Sequence, residues 1–527
     1  MNENTMDDKI EWLKNRGYLH LSTKLNINKD RNKILSKALN PNFVAKYAFL
    51  PLIHASIKER RFKKINGARA HSFLDENGKI KLNAKTRPLH YSSHMDSIIF
   101  GYYSAQLSDL YESELKKQDS LNDCVIAYRK IPIDGTDKNK STIHFANEAF
   151  LEIKRRAEIE TCSVLKFDIE SYFSTIDHKI LKKAWASLLN MKSLPPDHFN
   201  VFKAATKFCY ILKDDLRVNE RRRNKRGSHF NEKHIASIRK KGISSFLESP
   251  QAFRQAIKDG DLTLHKYPFR NKEHIPRGIP QGLPLSATLA NLYLLSFDKK
   301  IIQKIVNEHN GYYRRYSDDM IVVCKPEDAS LIESFVKKSI EENKIALSDS
   351  KTEKFLFKKN STGKIVSIKL DISRSTIGTP FTYLGFEFYG YKSLIKSANL
   401  AKFYRRLVYA VKRKIKRAAT LAQSRFDRKI VVYRRQLYKL YTALPLTASR
   451  VRTRTKWLSK NERGEYFFRT KEIDKKFNSN YISYVHRASK IMNEPAITKQ
   501  IKKHSRIFNQ AIFKHSKKAQ EKLSAHQ

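Results

Sequence analysis

Apolar and polar positions along the chain fall into a few distinct rhythms. In DSIIFGYYSAQLSDLYESEL apolar side chains recur at intervals of three and four, which gives a helix one buried face. Residues 1 to about 120 read as mostly helical and carry several aromatic clusters, KYAFLPLIHASI and this stretch among them. Strand-like runs rich in β-branched and aromatic residues follow. CVIAYRKIPI and SVLKFDI lie between 120 and 180, the YSDD segment and FTYLGFEFYG between 310 and 390. A polar stretch at roughly 190–270 separates the two groups and reads as a solvated insertion, whose basic run RVNERRRNKRG could touch phosphate. The uncharged run GIPQGLPLSATLANLYLLSF has the length of a membrane span but holds two prolines, a Gln and an Asn. It predicts a loop entering a buried helix, with Ser286 placed to cap it.

From 401 onward the rhythm is helical and one-sided in charge. In AKFYRRLVYAVKRKIKRAATLA, Phe403, Leu407, Val411, Ile415 and Ala419 fall four apart on one face, while Arg405, Arg406, Lys412, Arg413, Lys416 and Arg417 take the others. Residues 401–527 carry 34 Lys or Arg against 7 acids, about half of the net charge of +52 held by all 527 residues. A face that only solvates mixes signs, so this surplus points to a polyanion, nucleic acid ahead of an anionic membrane. Arg434 and Arg435 in VVYRRQLYKLY extend the same nucleic-acid-binding set, with aromatics between them that could stack on bases. With 40% hydrophobic and 30% charged residues the chain is otherwise an ordinary globular one. The N-terminus has no apolar core of a signal peptide, and the four scattered cysteines suit core thiols in a reducing cytoplasm.

Candidate chemistry lies in two places. In SVLKFDIESYFSTIDH, alternation puts Val164, Lys166 and Asp168 on one strand face and Leu165, Phe167 and Ile169 on the other, so Asp168 points away from an apolar core. Asp177 then caps a helix starting near His178. In YRRYSDDMIVV, strand formers flank Ser317, Asp318 and Asp319, which predicts a tight hairpin with acids at its tip. If the two tips meet, three carboxylates converge, and two Mg²⁺ ions about 4 Å apart would relieve their repulsion, as in phosphoryl transfer. Between the acids, two glycines flank Pro280–Gln281 and would let backbone approach a ligand closely.

FDIESYF, GIPQGLPLSA, YSDD, SDSKTEKF and YLGF stand in the order of motifs A to E of reverse transcriptases, which the chain resembles over roughly 120–390. The resemblance implies an α+β right-hand polymerase. Residues 1–120 would be a helical N-terminal extension and part of the fingers, 121–390 fingers and palm, and 391–527 thumb and a basic, mostly helical C-terminal region. It implies that Asp168 and Asp318 are direct metal ligands, with Asp319 the third acid and the Ile169 carbonyl facing a metal; two Mg²⁺ ions, or Mn²⁺, are the cofactors. Phe173 would exclude ribonucleotides, Gln281 and Gly282 would line the nucleotide site, and Lys351 would act on leaving pyrophosphate. Tyr383, Leu384, Gly385 and Phe386 resemble the primer grip, and Arg129 and Lys130 would contact triphosphate. Residues 90–131 and IHFANEAFLEI look like the bacterial reverse transcriptases of antiphage defence and abortive infection. RNA template (a dedicated non-coding RNA included), DNA product and dNTPs are then the partners, with a second copy or a companion defence protein open and no membrane. The alternatives are a catalytically silent RNA-binding scaffold of polymerase fold and a polymerase that is untemplated or makes RNA.

Overall fold

A computed structural model describes residues 10–525 apart from 61–62, 66–67, 71, 75–76, 219–228, 272, 349–350, 372–374, 424–428, 444–449 and 477–478. Its centre is a six-stranded sheet, all neighbours antiparallel. Cys162–Asp168 lies inside it, with Asp319–Cys324 and then Tyr312–Tyr316 on one side and Glu353–Lys359, Ile365–Leu370 and Ser375–Ile377 on the other.

Two apolar cores cover the two faces of this sheet. Leu165, Phe167, Met320 and Val322 join one, against the helices His94–Leu115, His178–Leu188 and Ser286–Tyr293. Val164, Ile321, Val323, Phe355 and Phe357 join the other, against Thr142–Ile159 and the C-terminal helices. The expected alternation is therefore present, but the face of Asp168 is itself covered at Val164 and opens only toward the strand end.

Three expectations are corrected. The described residues of 52–91 are not helical: Leu52–Arg60 pairs antiparallel with Ala84–Tyr91, and Tyr210–Leu212 adds in parallel. Pro51 disfavours helix across KYAFLPLIHASI, and the pairing partner lies too far downstream for local periodicity to show it. CVIAYRKIPI is not a strand. Asp119–Cys124 is helical, Val125 makes one bridge to Arg315 and Pro132 one to Asn139. The 190–270 stretch is folded, with helices Pro196–Thr206, Glu232–Lys240 and Pro250–Lys258 and a small core of Ile211, Ile235 and Phe246 with Leu21 and Ile53. Most of its basic run, 219–228, lies outside the described residues.

C-terminal to the sheet, Ser397–Ala422 is one long helix packed against His504–Ser524. Its buried row is Phe403, Leu407, Val411 and Ile415 as expected, but it continues through Ala418 rather than Ala419. A spacing of four overshoots the 3.6-residue turn, and the stripe drifts back. The C-terminal region is also less helical than expected, because Arg450–Lys460 and Tyr466–Lys476 form a two-stranded ribbon. Among the described residues no helix is long and apolar enough to cross a membrane, and all four cysteines are free.

Candidate active site

The register of the sheet brings the acids together. Asp319 is the direct cross-strand partner of Asp168, so the two side chains leave the same face of neighbouring strands. Ser317, at φ 60°, reverses the chain, and the Ile169 amide donates to the Asp318 carbonyl at 3.1 Å. The strand end is held from its other side by Ser348, whose amide donates to the Asp168 carbonyl at 2.8 Å. A turn closed by the Lys351 amide on the Ser348 carbonyl, 2.9 Å, then brings the Lys351 ammonium onto the Asp168 carboxylate.

Asp318 and Asp319 have no ion-pair partner among the described residues, and both hold their protons more tightly than usual. Burial is the main cause for each. The charge of Asp168 adds to it at Asp318, and Asp318 adds to it at Asp319, whose pKa is pushed up to about 6. Such a site calls for a cation. The donors are hard oxygens of the kind Mg²⁺ takes, so the residues fit that ion chemically. Yet among the described residues no three His, Cys, Asp or Glu side chains already form a metal cage. The expected convergence therefore holds for the backbones and not for a finished ligand set, since the Lys351 ammonium is the cation on Asp168.

The loop after Arg277 corrects the role given to its glycines. Gly278 has φ 83°, and a Cβ there would lie 2.6 Å from the Ser174 carbonyl oxygen; Gly282 has φ 118° and would bring one within 2.5 Å of the His90 carbonyl oxygen. The close approach is to the protein's own backbone. Amides of Gly278 and Ile279 donate to the carbonyls of Ile176 and Phe173 at 2.6 and 2.7 Å, and the His90 amide donates to the Gln281 carbonyl at 2.8 Å. Ser286 does not cap its helix; its hydroxyl donates to the Pro280 carbonyl at 2.5 Å. Asp177 does cap, accepting from the amides of Lys179 and Ile180 at 2.8 and 3.0 Å. At Ile279, two residues before the half-buried Gln281, the loop is thus tied to the backbone of Phe173, half-buried beside the buried Tyr172.

Residues 227–388 match the family described as "Reverse transcriptase (RNA-dependent DNA polymerase)". The chain carries a reverse-transcriptase domain. The match takes in Gln281, Gly282, Asp318, Asp319, Lys351 and 383–386, while Asp168 and Phe173 lie before it, Asp168 tied to it through the sheet and Phe173 through the Ile279 amide on its carbonyl. Solved structures similar to the chain include apo telomerase from Candida tropicalis truncated from its C-terminal domain, at 12% identity and TM-score 0.37, covering 69% of this chain and 60% of that one. Telomerase from Candida albicans in complex with a fragment of telomeric RNA is 11% identical at TM-score 0.37, covering 75% and 54%. The chain therefore spans little more than half the length of these telomerases. No curated protein matches it.

Around the reverse-transcriptase domain, the other expected residues divide by accessibility. Arg129 is not available to a triphosphate. Its side chain is 4% exposed, forks onto Glu112 at 2.8 and 2.7 Å, and donates to the carbonyls of Asn122 and Val125. Lys130 is exposed and pairs with Glu11. Tyr383 and Phe386 are core residues of a hairpin, so the expected primer grip presents only its turn, Leu384 and Gly385, both at positive φ. Arg405, Arg406, Lys412, Arg413, Lys416 and Arg417 are exposed on the long helix, and Arg434 and Arg435 are exposed after it.

Sequence reasoning missed the support beneath the acid turn. Arg315 and Asp298 are fully buried and meet as a fork, Nε to Oδ1 at 2.8 Å and Nη2 to Oδ2 at 2.6 Å. Tyr313 donates to the same carboxylate at 2.9 Å, and Arg315 Nη1 reaches the Ser317 carbonyl at 3.3 Å. The available signal was strand parity: Arg315 shares the face of Tyr313, where a charge needs a buried partner.

Proposed function

We propose that the chain is an RNA-directed DNA polymerase of right-hand form that uses two Mg²⁺ ions and acts in bacterial antiphage defence, on an associated non-coding RNA. In this reading the six-stranded sheet is the palm, Ser397–Ala422 the start of the thumb, and the Leu52–Tyr91 strands with the helices of 196–258 belong to the fingers. The observation that carries it is the direct pairing of Asp168 with Asp319, beside Asp318, at the edge of a reverse-transcriptase domain.

A primer 3′-hydroxyl attacks the α-phosphate of a dNTP; the new P–O bond forms as the bond to pyrophosphate breaks. Bound Mg²⁺ would lower the pKa of the hydroxyl and neutralise the phosphate oxygens. Asp168, Asp318 and Asp319 would hold it, with the Ile169 carbonyl. Lys351, released from Asp168, would hydrogen-bond the departing pyrophosphate and give it a proton. Phe173 would crowd the 2′ position of the incoming sugar, and Gln281 would line the base pair. The exposed arginines and lysines of 405–435 would hold template and product by their phosphates. The defence role is supported by the likeness of residues 90–131 to defence-associated enzymes.

The test is dNTP incorporation on an RNA template by purified protein, with Mg²⁺ or chelator, beside Asp318→Ala. Incorporation that needs Mg²⁺ and vanishes in the variant is expected; equal incorporation by the variant overturns the assignment. Plaque counts on cells expressing either protein test the defence role, and equal protection by both removes polymerisation from it.

A further inference from the structure

The ribbon Arg450–Lys460/Tyr466–Lys476 is an arm. It leaves the C-terminal helices where Asn480 Nδ2 donates to the carbonyls of Lys439 and Thr442 at 3.2 and 2.9 Å, so its two ends are pinned together. Its strands of 11 residues reach roughly 35 Å at about 3.3 Å per residue. The far end rests on the folded 232–242 segment. Glu465 pairs with Lys240 at 3.5 Å, the Arg239 guanidinium lies 4.9 Å above the Phe468 ring, and the Tyr466 ring covers Gly242 so closely that a Cβ there would meet it at 2.9 Å.

Strand parity decides what the arm has left to offer. Tyr466 and Phe468 lie on one face and serve this docking. Trp457 faces Arg469 across the ribbon and Phe467 faces Ser459, so Trp457, Arg469 and Phe467 share the opposite face as direct and diagonal neighbours. Trp457 is 43% and Phe467 41% exposed, and the Arg469 guanidinium lies 5.8 Å from the Phe467 ring. Single exposed rings are common on protein surfaces. Two adjacent rings beside an arginine are not a solvating pattern, on a ribbon with ten Lys or Arg against four acids. Unpaired bases supply flat faces for the rings and phosphates for the cations.

We propose that this face of the arm binds single-stranded nucleic acid by stacking bases on Trp457 and Phe467. It is a second contact apart from the acids, and it extends the polymerase reading by saying where an unpaired strand is held. Arg469 faces the phosphates, and docking on 232–242 keeps the platform at a fixed distance from the helices that carry it.

The test is intrinsic tryptophan fluorescence of the full chain titrated with an oligothymidylate or an oligouridylate of about 16 nucleotides. Neither dNTP nor Mg²⁺ is present, so failure of catalysis and failure of this contact are read separately. The chain has three tryptophans; Trp185 is buried and Trp12 packs on Tyr102, which leaves Trp457 the most open to a base. Quenching is expected with one or both oligonucleotides and should disappear in Trp457→Phe while binding persists. Trp457→Ala with Phe467→Ala should weaken binding about ten- to a hundredfold, with a duplex of equal length held equally by parent and variant. Quenching that survives Trp457→Phe, unchanged affinity of the double variant, or a Trp457 signal that follows protein concentration without oligonucleotide would each overturn the proposal.

Discussion

Replacing Asp319 by Asn should make the metal-free protein more stable and the enzyme inactive. In the folded chain the Asp319 carboxyl titrates at about 6 instead of 3.8, chiefly through burial and then through the charge of Asp318. A rise of about two units corresponds to about 3 kcal/mol at 1.36 kcal/mol per unit. Below about pH 3 the group is protonated folded and unfolded alike, and it costs the fold nothing. Between about pH 4 and 6 the unfolded chain releases its proton while the folded chain retains it, so stability falls as pH rises and the full loss is reached above 6. Asn has the same shape and nothing to ionise. In chelator near pH 8, Asp319→Asn should therefore melt at most roughly 6–12 °C above the parent at 2–4 °C per kcal/mol, and at about pH 3 the two should coincide. Mg²⁺ should raise the melting temperature of the parent at pH 8 and leave the variant nearly unmoved, while dNTP incorporation by the variant falls by about a hundredfold or more. Thermal melts at the two pH values, with and without Mg²⁺, make the comparison. Equal melting near pH 8 in chelator would refute the argument, since the buried repulsion it starts from would not exist.

Phe173→Ala should raise ribonucleotide use relative to deoxyribonucleotide by about tenfold or more, the scale of one apolar contact; an unchanged NTP/dNTP incorporation ratio would leave Phe173 a core residue only. Gly278→Ala forces a Cβ against the Ser174 backbone at φ 83°, whereas Gly363→Ala meets open space at φ 74°. The second should therefore cost about 1 kcal/mol and the first clearly more, as read by urea unfolding. Arg413→Ala with Arg417→Ala, both exposed on the long helix, should lower the dependence of log affinity on log salt by about two units if each meets a phosphate, measured by anisotropy with a primer–template duplex.

How legible these features were depended on how local their causes are. The strand to Asp168, the acid hairpin and the buried stripe of Ser397–Ala422 are set by alternation, turn chemistry and helical period within a few residues, and each stands where the pattern placed it except that the stripe runs through Ala418 in place of Ala419. The Leu52–Arg60 strand was read as helix because its partners, Ala84–Tyr91 and Tyr210–Leu212, lie elsewhere in the sequence. Arg129 could not be told from a ligand-binding arginine, because what consumes its donors is Glu112, Asn122 and Val125. The glycines at 278 and 282 were expected to let backbone approach a ligand, and the close approach is instead to the chain itself, at Ser174 and His90.

The charge of the whole chain sharpens the reading of the acids. A surplus of +52 favours ionised carboxylates everywhere, and alone it would lower the pKa of Asp318 and Asp319. Both are raised instead. Distant surface charge is screened beyond about 8 Å at physiological ionic strength, whereas Asp318 adjoins Asp319 in the chain and Asp168 faces it across the register. Burial and these close neighbours therefore outweigh the surplus at this one strand end. Lys351 pairs directly with Asp168 alone and acts on the other two only as a weaker, more distant charge, and Lys166 lies toward Asp319 but is committed to Glu353 at 3.3 Å. A basic protein thus leaves two adjacent acids without an ion-pair partner among the described residues at the end of a central strand, and the proposed metal role of these acids rests on that local deficit.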